Sequence, residues 1–217
     1  MKNTIYNKWI IIASFSLNFI ILSLFSIWTW KHPTELLDKL FPSRTINIVM
    51  LGNSLTGEAD WTKQLGRIDV HNSGKGGFIT LQLFDDLRGL VFVYKPKICF
   101  IEGGINDIDL GVTTEDTFNN FRLMVDSLKA NNIIPILSLT LYQHNANKSK
   151  YKIDSLNVFV KKYALENNID FFDLNEKLSQ NHSLKAEYTT DGTHLTKTAY
   201  PVWADEIEKI LKKYHTN

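Results

Sequence analysis

The chain has 217 residues, 44% of them hydrophobic and 22% charged, with a formal net charge of +1. That length suits one domain with a core of its own and excludes two ordinary domains plus linkers. The composition excludes wholesale disorder, and the near-zero net charge argues against a broad electrostatic footprint for nucleic acid.

The first feature in chain order is an uncharged run of 22 residues from Trp9 to Trp30. As a helix it would extend roughly 33 Å at about 1.5 Å per residue, enough for a bilayer core. Lys2 and Lys8 precede it, and Trp9, Trp28 and Trp30 stand at its ends, where indole rings favour the membrane interface. The competing reading is a cleaved signal sequence, whose apolar region is shorter, about 7–15 residues, and ends at a small-x-small site. Residues 1–30 are therefore expected to be a membrane anchor (or signal sequence), with the rest of the chain outside the cytoplasmic membrane. Residues 31–45 read as a connector and 46–217 as one folded domain.

From Ile46 the pattern alternates. The run Ile46–Leu51 suits a strand buried on both faces, and Gly52–Gly57 reads as a loop. A short helix is expected over Glu58–Leu65, a strand at Ile68–His71, and a helix over Leu81–Val93. Lys97–Ile101 is the next strand, stopped by Gly103-Gly104. Thr114–Ala130 has helical spacing of Phe118, Phe121, Val125 and Leu128. A strand at Ile133–Leu139, a helix at Ile153–Asn167, a strand at Ile169–Phe172 and a closing helix at Thr198–Tyr214 follow. The lone cysteine, Cys99, sits in the run Ile98-Cys99-Phe100-Ile101 and reads as a buried, inert thiol. Strand–helix alternation with apolar strands predicts an α/β fold: a parallel sheet with helices on both faces. In such sheets ligands bind beyond the carboxyl ends of the strands.

Four polar, Gly-containing turns fall at those ends or near the C-terminus: Gly52-Asn53-Ser54-Leu55-Thr56, Asn72-Ser73-Gly74-Lys75-Gly76-Gly77, Gly103-Gly104-Ile105-Asn106-Asp107 and Asp191-Gly192-Thr193-His194. They supply what acyl transfer requires. A serine hydroxyl needs a base within hydrogen-bond reach, and an imidazole base needs a carboxylate to hold its tautomer. Asp191 and His194, three residues apart, can be presented by one tight turn. The oxyanion needs preorganised donors, for which the backbone N–H groups of Ser54 and Gly77 and the amide of Asn106 are candidates. Other chemistries fit less well. The glycine after Ser54 falls at 57, one residue late for a G-x-S-x-G elbow. The glycine-rich turn lacks the G-x-x-x-x-G-K-[ST] spacing of a phosphate loop. His71, His144, His182 and His194 are dispersed, with no H-E-x-x-H spacing; His144 and His182 lie in polar stretches and read as solvated, or as part of a substrate rim. No metal and no cofactor is expected.

The four turns, in this order, resemble the conserved blocks of the SGNH (GDSL-like) hydrolase family. GNSLT is similar to its nucleophile block, NSGKGG and GIND to the blocks that donate to the oxyanion, and DGTH to the Asp-x-x-His block. The resemblance implies a three-layer, flavodoxin-like fold with a five-stranded parallel sheet in the order 2-1-3-4-5. It implies Ser54 as nucleophile, His194 as base, Asp191 as its partner, and Gly77 and Asn106 beside Ser54 as oxyanion donors. One departure is Asn53, where the commoner pattern has Asp. The function expected is hydrolysis of a small O-acyl ester, acetyl above all, on an extracytoplasmic glycan or lipid. The alternatives are a catalytically silent glycan- or protein-binding module at the membrane, and an O-acyltransferase.

Overall fold

The computed structural model describes residues 45–214 except 147, together with 18, 19, 21–23 and 26. The chain divides into two compact units, Met1–Arg44 and Thr45–Asn217. In the first, the described residues are helical, and the Ser23 and Ser26 hydroxyls donate to the Phe19 and Leu22 carbonyls one turn back, each at 2.8 Å. The expected membrane span at 9–30 and the connector lie largely outside the described residues. Among the described residues, no helix is long and apolar enough to cross a membrane.

In the second unit the elements follow in the order β1 (Ile48–Gly52), α1 (Ser54–Gly57), α2 (Trp61–Leu65), β2 (Val70–Gly74), α3 (Thr80–Asp85), α4 (Leu87–Leu90), β3 (Ile98–Ile101), α5 (Ile105–Asp109), α6 (Thr114–Ala130), β4 (Ile134–Ser138), α7 (Lys150–Glu166), β5 (Phe171–Phe172), α8 (Asn175–Leu178), β6 (Ser179–Gln180), β7 (Ser183–Leu184) and α9 (Ala199–Lys213). The five main strands form one parallel sheet in the order β2-β1-β3-β4-β5, as expected. The small β6–β7 hairpin is antiparallel.

Period-two alternation explains the layering, since successive side chains of a strand point to opposite faces. Val49, Leu51, Cys99, Ile101 and Leu137 join one core cluster with Leu83, Phe121, Met124, Val125, Leu128 and Leu156 from the helices of that side. Ile48, Met50, Ile98, Phe100 and Ile136 join another with Trp61, Trp203, Ile207 and Leu211. Both strand faces are apolar because both are covered. Cys99 is fully buried, and burial pushes its thiol far above the ordinary range, so it is not a thiolate nucleophile.

Several boundaries differ from the sequence reading. The second strand was expected at 68–71 but runs over Val70–Gly74, because polar residues are satisfied there. Ser73 Oγ donates to the Leu90 carbonyl at 2.5 Å, and Asn72 Nδ2 donates to the Gly57 and Ala59 carbonyls at 3.1 and 2.9 Å. Ile68, which looked like strand, is 62% exposed. The helix expected over 81–93 is broken at Asp86 and again at Val91, whose φ of −131° leaves the helical region. The loop expected at 52–57 contains the single turn α1, capped by the Asn53 side chain, which accepts from Leu55 N–H. Helix α6 has the limits expected of it.

The core makes a simple quantitative test. Leu128 is fully buried at the far end of α6. Its replacement by alanine should lower unfolding stability by about 2–5 kcal/mol. A urea midpoint indistinguishable from the parent's would contradict this packing.

Candidate active site

The three strands β2, β1 and β3 lie side by side and deliver three of the four polar turns to one edge. The first turn leaves β1 through Gly52 and enters α1 with Ser54 as its first residue. A Cβ on Gly52 would fall 2.2 Å from Thr56 Oγ1 and 2.7 Å from Glu102 Oε2, so only glycine permits the tight packing beneath the turn. The turn is held from below as well. Tyr200 Oη in α9 donates to the Leu55 carbonyl at 3.0 Å, and Trp61 Nε1 donates to the Thr56 carbonyl at 2.9 Å.

The second and third turns are locked to each other. The first half of the Asn72–Gly77 segment belongs to β2 itself, and only Lys75–Gly77 extends beyond it. Gly77 has φ +78°, a backbone state that side chains other than glycine rarely adopt. Asn106 Nδ2 donates to the Phe78 carbonyl at 2.8 Å. A carboxamide nitrogen carries two hydrogens, so this bond fixes the Asn106 side chain and leaves one N–H for another acceptor. The neighbouring Asp107 accepts from Thr80 N–H at 3.1 and 3.0 Å and from Thr80 Oγ1 at 2.5 Å. Burial raises its pKa against the pull of these bonds. Residues 106 and 107 thus grip residues 78 and 80, which sets the Gly77 loop against α5.

The fourth turn arrives from outside the sheet and closes on itself. Asp191 Oδ1 accepts from the Thr193 and His194 amides at 2.9 and 2.8 Å. Its Oδ2 lies 2.7 Å from His194 Nδ1. His194 Nε2 lies 3.0 Å from Ser54 Oγ. The hydrogen bond to His194, then those from the backbone amides, hold the Asp191 carboxyl well below the usual carboxylate range. Asp191 accepts the Nδ1–H bond, which leaves Nε2 as the acceptor facing the serine hydroxyl. The structure therefore brings Ser54, His194 and Asp191 into one hydrogen-bonded line, with the Gly77 and Asn106 turns tied together at the neighbouring strand ends. Glu58 also approaches: its Oε1 is 3.8 Å from His194 Nε2.

The sequence reading missed two contributors. The loop after β4 anchors the fourth turn. His144 N–H donates to the Gly192 carbonyl at 2.7 Å, and Gln143 Nε2 donates to Thr193 Oγ1 at 3.1 Å and to Asp109 Oδ2 at 2.9 Å. The signal available was position: Gln143 and His144 follow a strand at its carboxyl end. The second is Glu102, buried under the Ser54 turn. His182 is placed apart from this line, with Nδ1 2.9 Å from Asp154 Oδ1 and 3.1 Å from Tyr142 Oη. Among the described residues no three His, Cys, Asp or Glu side chains gather as a metal-binding group.

Comparison with known proteins identifies the family and the fold. The GDSL-like lipase/acylhydrolase family model matches residues 49–202. A structure of an acylhydrolase from Bacteroides fragilis is 30% identical, with a TM-score of 0.71, and the match covers 79% of this chain and 89% of that one. A GDSL-like lipase of Bacteroides thetaiotaomicron is 27% identical with a TM-score of 0.68, covering 78% and 89%. An acetylxylan esterase of Geobacillus stearothermophilus, at 20% identity and a TM-score of 0.64 over 75% and 92%, shares the fold. N-acylneuraminate cytidylyltransferases of Streptococcus agalactiae are 25% identical over 183 residues, and the chain spans only 42% of their length. With its family model running from β1 into α9, the chain belongs to the GDSL-like lipase/acylhydrolase family.

Proposed function

We propose that the chain is a serine esterase acting on a small O-acyl ester, through Ser54, His194 and Asp191. The observation that carries this reading is the hydrogen-bonded line from Ser54 Oγ to His194 Nε2 and from His194 Nδ1 to Asp191, at 3.0 and 2.7 Å. Ser54 Oγ attacks the ester carbonyl carbon while its proton passes to His194 Nε2. The oxyanion takes hydrogen bonds from the Ser54 and Gly77 amides and from the free N–H of Asn106. The His194 imidazolium, stabilised by Asp191, protonates the leaving alcohol, and the acyl group stays on Ser54. Water then attacks the acyl-enzyme with His194 again as base, returning the serine and releasing the acid.

The exposure of the site supports a substrate class. The Asp191 side chain is 54% exposed and that of His194 35%. A catalytic line at an open rim suits an acyl group displayed on a large, hydrophilic carrier better than a long chain needing an enclosed apolar tunnel. Two similar proteins are named for sugar-directed chemistry, an acetylxylan esterase and the N-acylneuraminate enzymes. The reading is therefore an acetyl ester on a glycan, with a lipid ester as the other substrate class. The uncharged run at 9–30, read as a tether, puts the domain at the outer face of a membrane.

The test uses the full 217-residue chain. It should hydrolyse p-nitrophenyl acetate faster than the butyrate and react at Ser54 with a fluorophosphonate probe. Ser54→Ala and His194→Ala should each abolish hydrolysis, while Asn106→Ala should cost about 10²–10³ in kcat, the loss expected for one oxyanion donor. A folded parent that neither turns over nor reacts with the probe would refute the proposal.

The pH dependence has a definite sign. The hydrogen bond to Asp191 raises the His194 pKa above 6.5, opposed by burial and aided by the charges of Glu58 and Asp191. The base must be neutral to accept the serine proton, so kcat/KM should rise with pH through this raised value, with its acid limb above 6.5. Asp191→Asn should move the limb to lower pH and reduce kcat by about 10²–10⁴. Glu58→Gln should move it in the same direction by less. A kcat/KM profile whose limb stays in place in both variants would rule out these two carboxylates as the cause.

A further inference from the structure

Beneath the Ser54 turn lies a carboxylate to which the hydrolytic scheme gives no part. Glu102 follows β3 and is 6% exposed. Its Oε2 accepts from Asn53 N–H at 3.2 Å and from Thr56 Oγ1 at 3.0 Å, and its Oε1 accepts from Asn53 Nδ2 at 2.9 Å. Burial pushes the Glu102 carboxyl up to about 7, against the pull of these three hydrogen bonds. Asn53 is fully buried too, and its Oδ1 is used on Leu55 N–H at 2.8 Å. All three groups that meet Glu102 belong to the four residues around the nucleophile.

The polarity of this contact is fixed on one side. Two of the three donors are N–H groups, which cannot reverse and accept. Position 102 must therefore present oxygens to them. Where the commoner pattern of the nucleophile block has Asp at position 53, this chain has the carboxamide, and the carboxylate stands across the contact. We propose that Asn53 and Glu102 form a reciprocal pair in which Glu102 is a positioning residue. It holds the peptide and side chain of Asn53 so that the Ser54 hydroxyl meets His194 and the Ser54 amide stays available to the oxyanion. Asn53 is required as a carboxamide because its partner is a carboxylate. This inference rests on the reading of Ser54 as nucleophile.

Exchange of the two groups separates positioning from mere stability. Asn53→Asp alone sets two carboxyl groups at hydrogen-bond distance, where both cannot ionise cheaply. Glu102→Gln alone turns an amide N–H toward a donor, leaving a buried donor unpaired. The double variant Asn53→Asp/Glu102→Gln reverses the contact and satisfies it. The new carboxamide at position 102 donates its N–H to one oxygen of the new carboxylate at position 53, whose other oxygen keeps the Leu55 N–H. The carboxamide oxygen at position 102 then accepts from the residue 53 backbone amide and from Thr56 Oγ1.

The measurements are the rate of Ser54 labelling by a fluorophosphonate probe and kcat and KM for p-nitrophenyl acetate, beside the melting temperature of each variant. Each single variant should lower the labelling rate and kcat by about tenfold or more, the equivalent of one buried unpaired group, with KM little changed. The double variant should recover most of both. Single variants that melt lower but label at the parental rate would overturn the positioning role, and a double variant no faster than the slower single would overturn the pairing. If a single variant fails to fold, the folded double decides: a labelling rate near the parent's supports the pair, and a loss as large as that of the other single overturns it. A parent that never labels at Ser54 would refute the esterase reading itself, and positioning with it; a parent that labels confines any failure to the pair.

Discussion

A sheet buried on both faces can meet water only at the ends and edges of its strands, and the rest of this structure follows from that constraint. Both faces of β1 and β3 are apolar and covered, so polar side chains cannot reach solvent from the middle of the strands. The parallel arrangement puts the carboxyl ends of β2, β1 and β3 side by side. The turns that leave them are brought within hydrogen-bond reach without any long loop. Ser54 leaves the strand that lies between the other two, which is why the Gly77 loop and the Asn106 turn can flank it.

The edge is polar, yet what lies under it is buried, and burial there is expensive unless each group is paired. Asp107 takes its bonds from Thr80, and Glu102 from the Ser54 turn. Asn157 Oδ1 accepts from the Thr140 amide while its Nδ2 donates to the Thr140 carbonyl, and Asn175 Oδ1 accepts from the Tyr142 amide. These side chains replace the ladder partners that the backbone loses as β4 ends. Partnered in this way, they give the edge a rigid base. The Asp191–His194 turn has no such base. It is half exposed, it draws its shape from its own Asp191 bonds, and it is moored by His144 and Gln143. The buried polar groups under the edge and the exposed Asp191–His194 turn are thus supported by different means.

Two sources of order were legible in the residues. Apolar runs such as Ile46–Leu51 and the period of Thr114–Ala130 reflect burial, a property each element carries by itself. The four polar turns were legible from their place along the chain, whereas the sheet order came through resemblance, and the structure agrees with that order. Elements decided by partners elsewhere in the chain were misread. Strand β2 contains Asn72 and Ser73, which are polar in composition and become strand because α1, α4 and the loop before α2 supply their hydrogen bonds. The β6–β7 hairpin is two residues on each side and has no periodicity to detect.

The residues by themselves determined that this is an α/β chain with polar, glycine-containing turns at three strand ends, one of them carrying a serine, and an Asp/His turn near the C-terminus, because hydrophobic period and short-range turn chemistry are local. Only the tertiary structure decided that Glu102 lies under Ser54, that Asn53 faces a carboxylate, and that Gln143 and His144 moor the His194 turn. Those contacts join residues 49 apart in the case of Asn53 and Glu102, and 50 apart in the case of Gln143 and Thr193. No local pattern encodes a pairing at that distance; it exists once the strands have been stacked and their ends brought together.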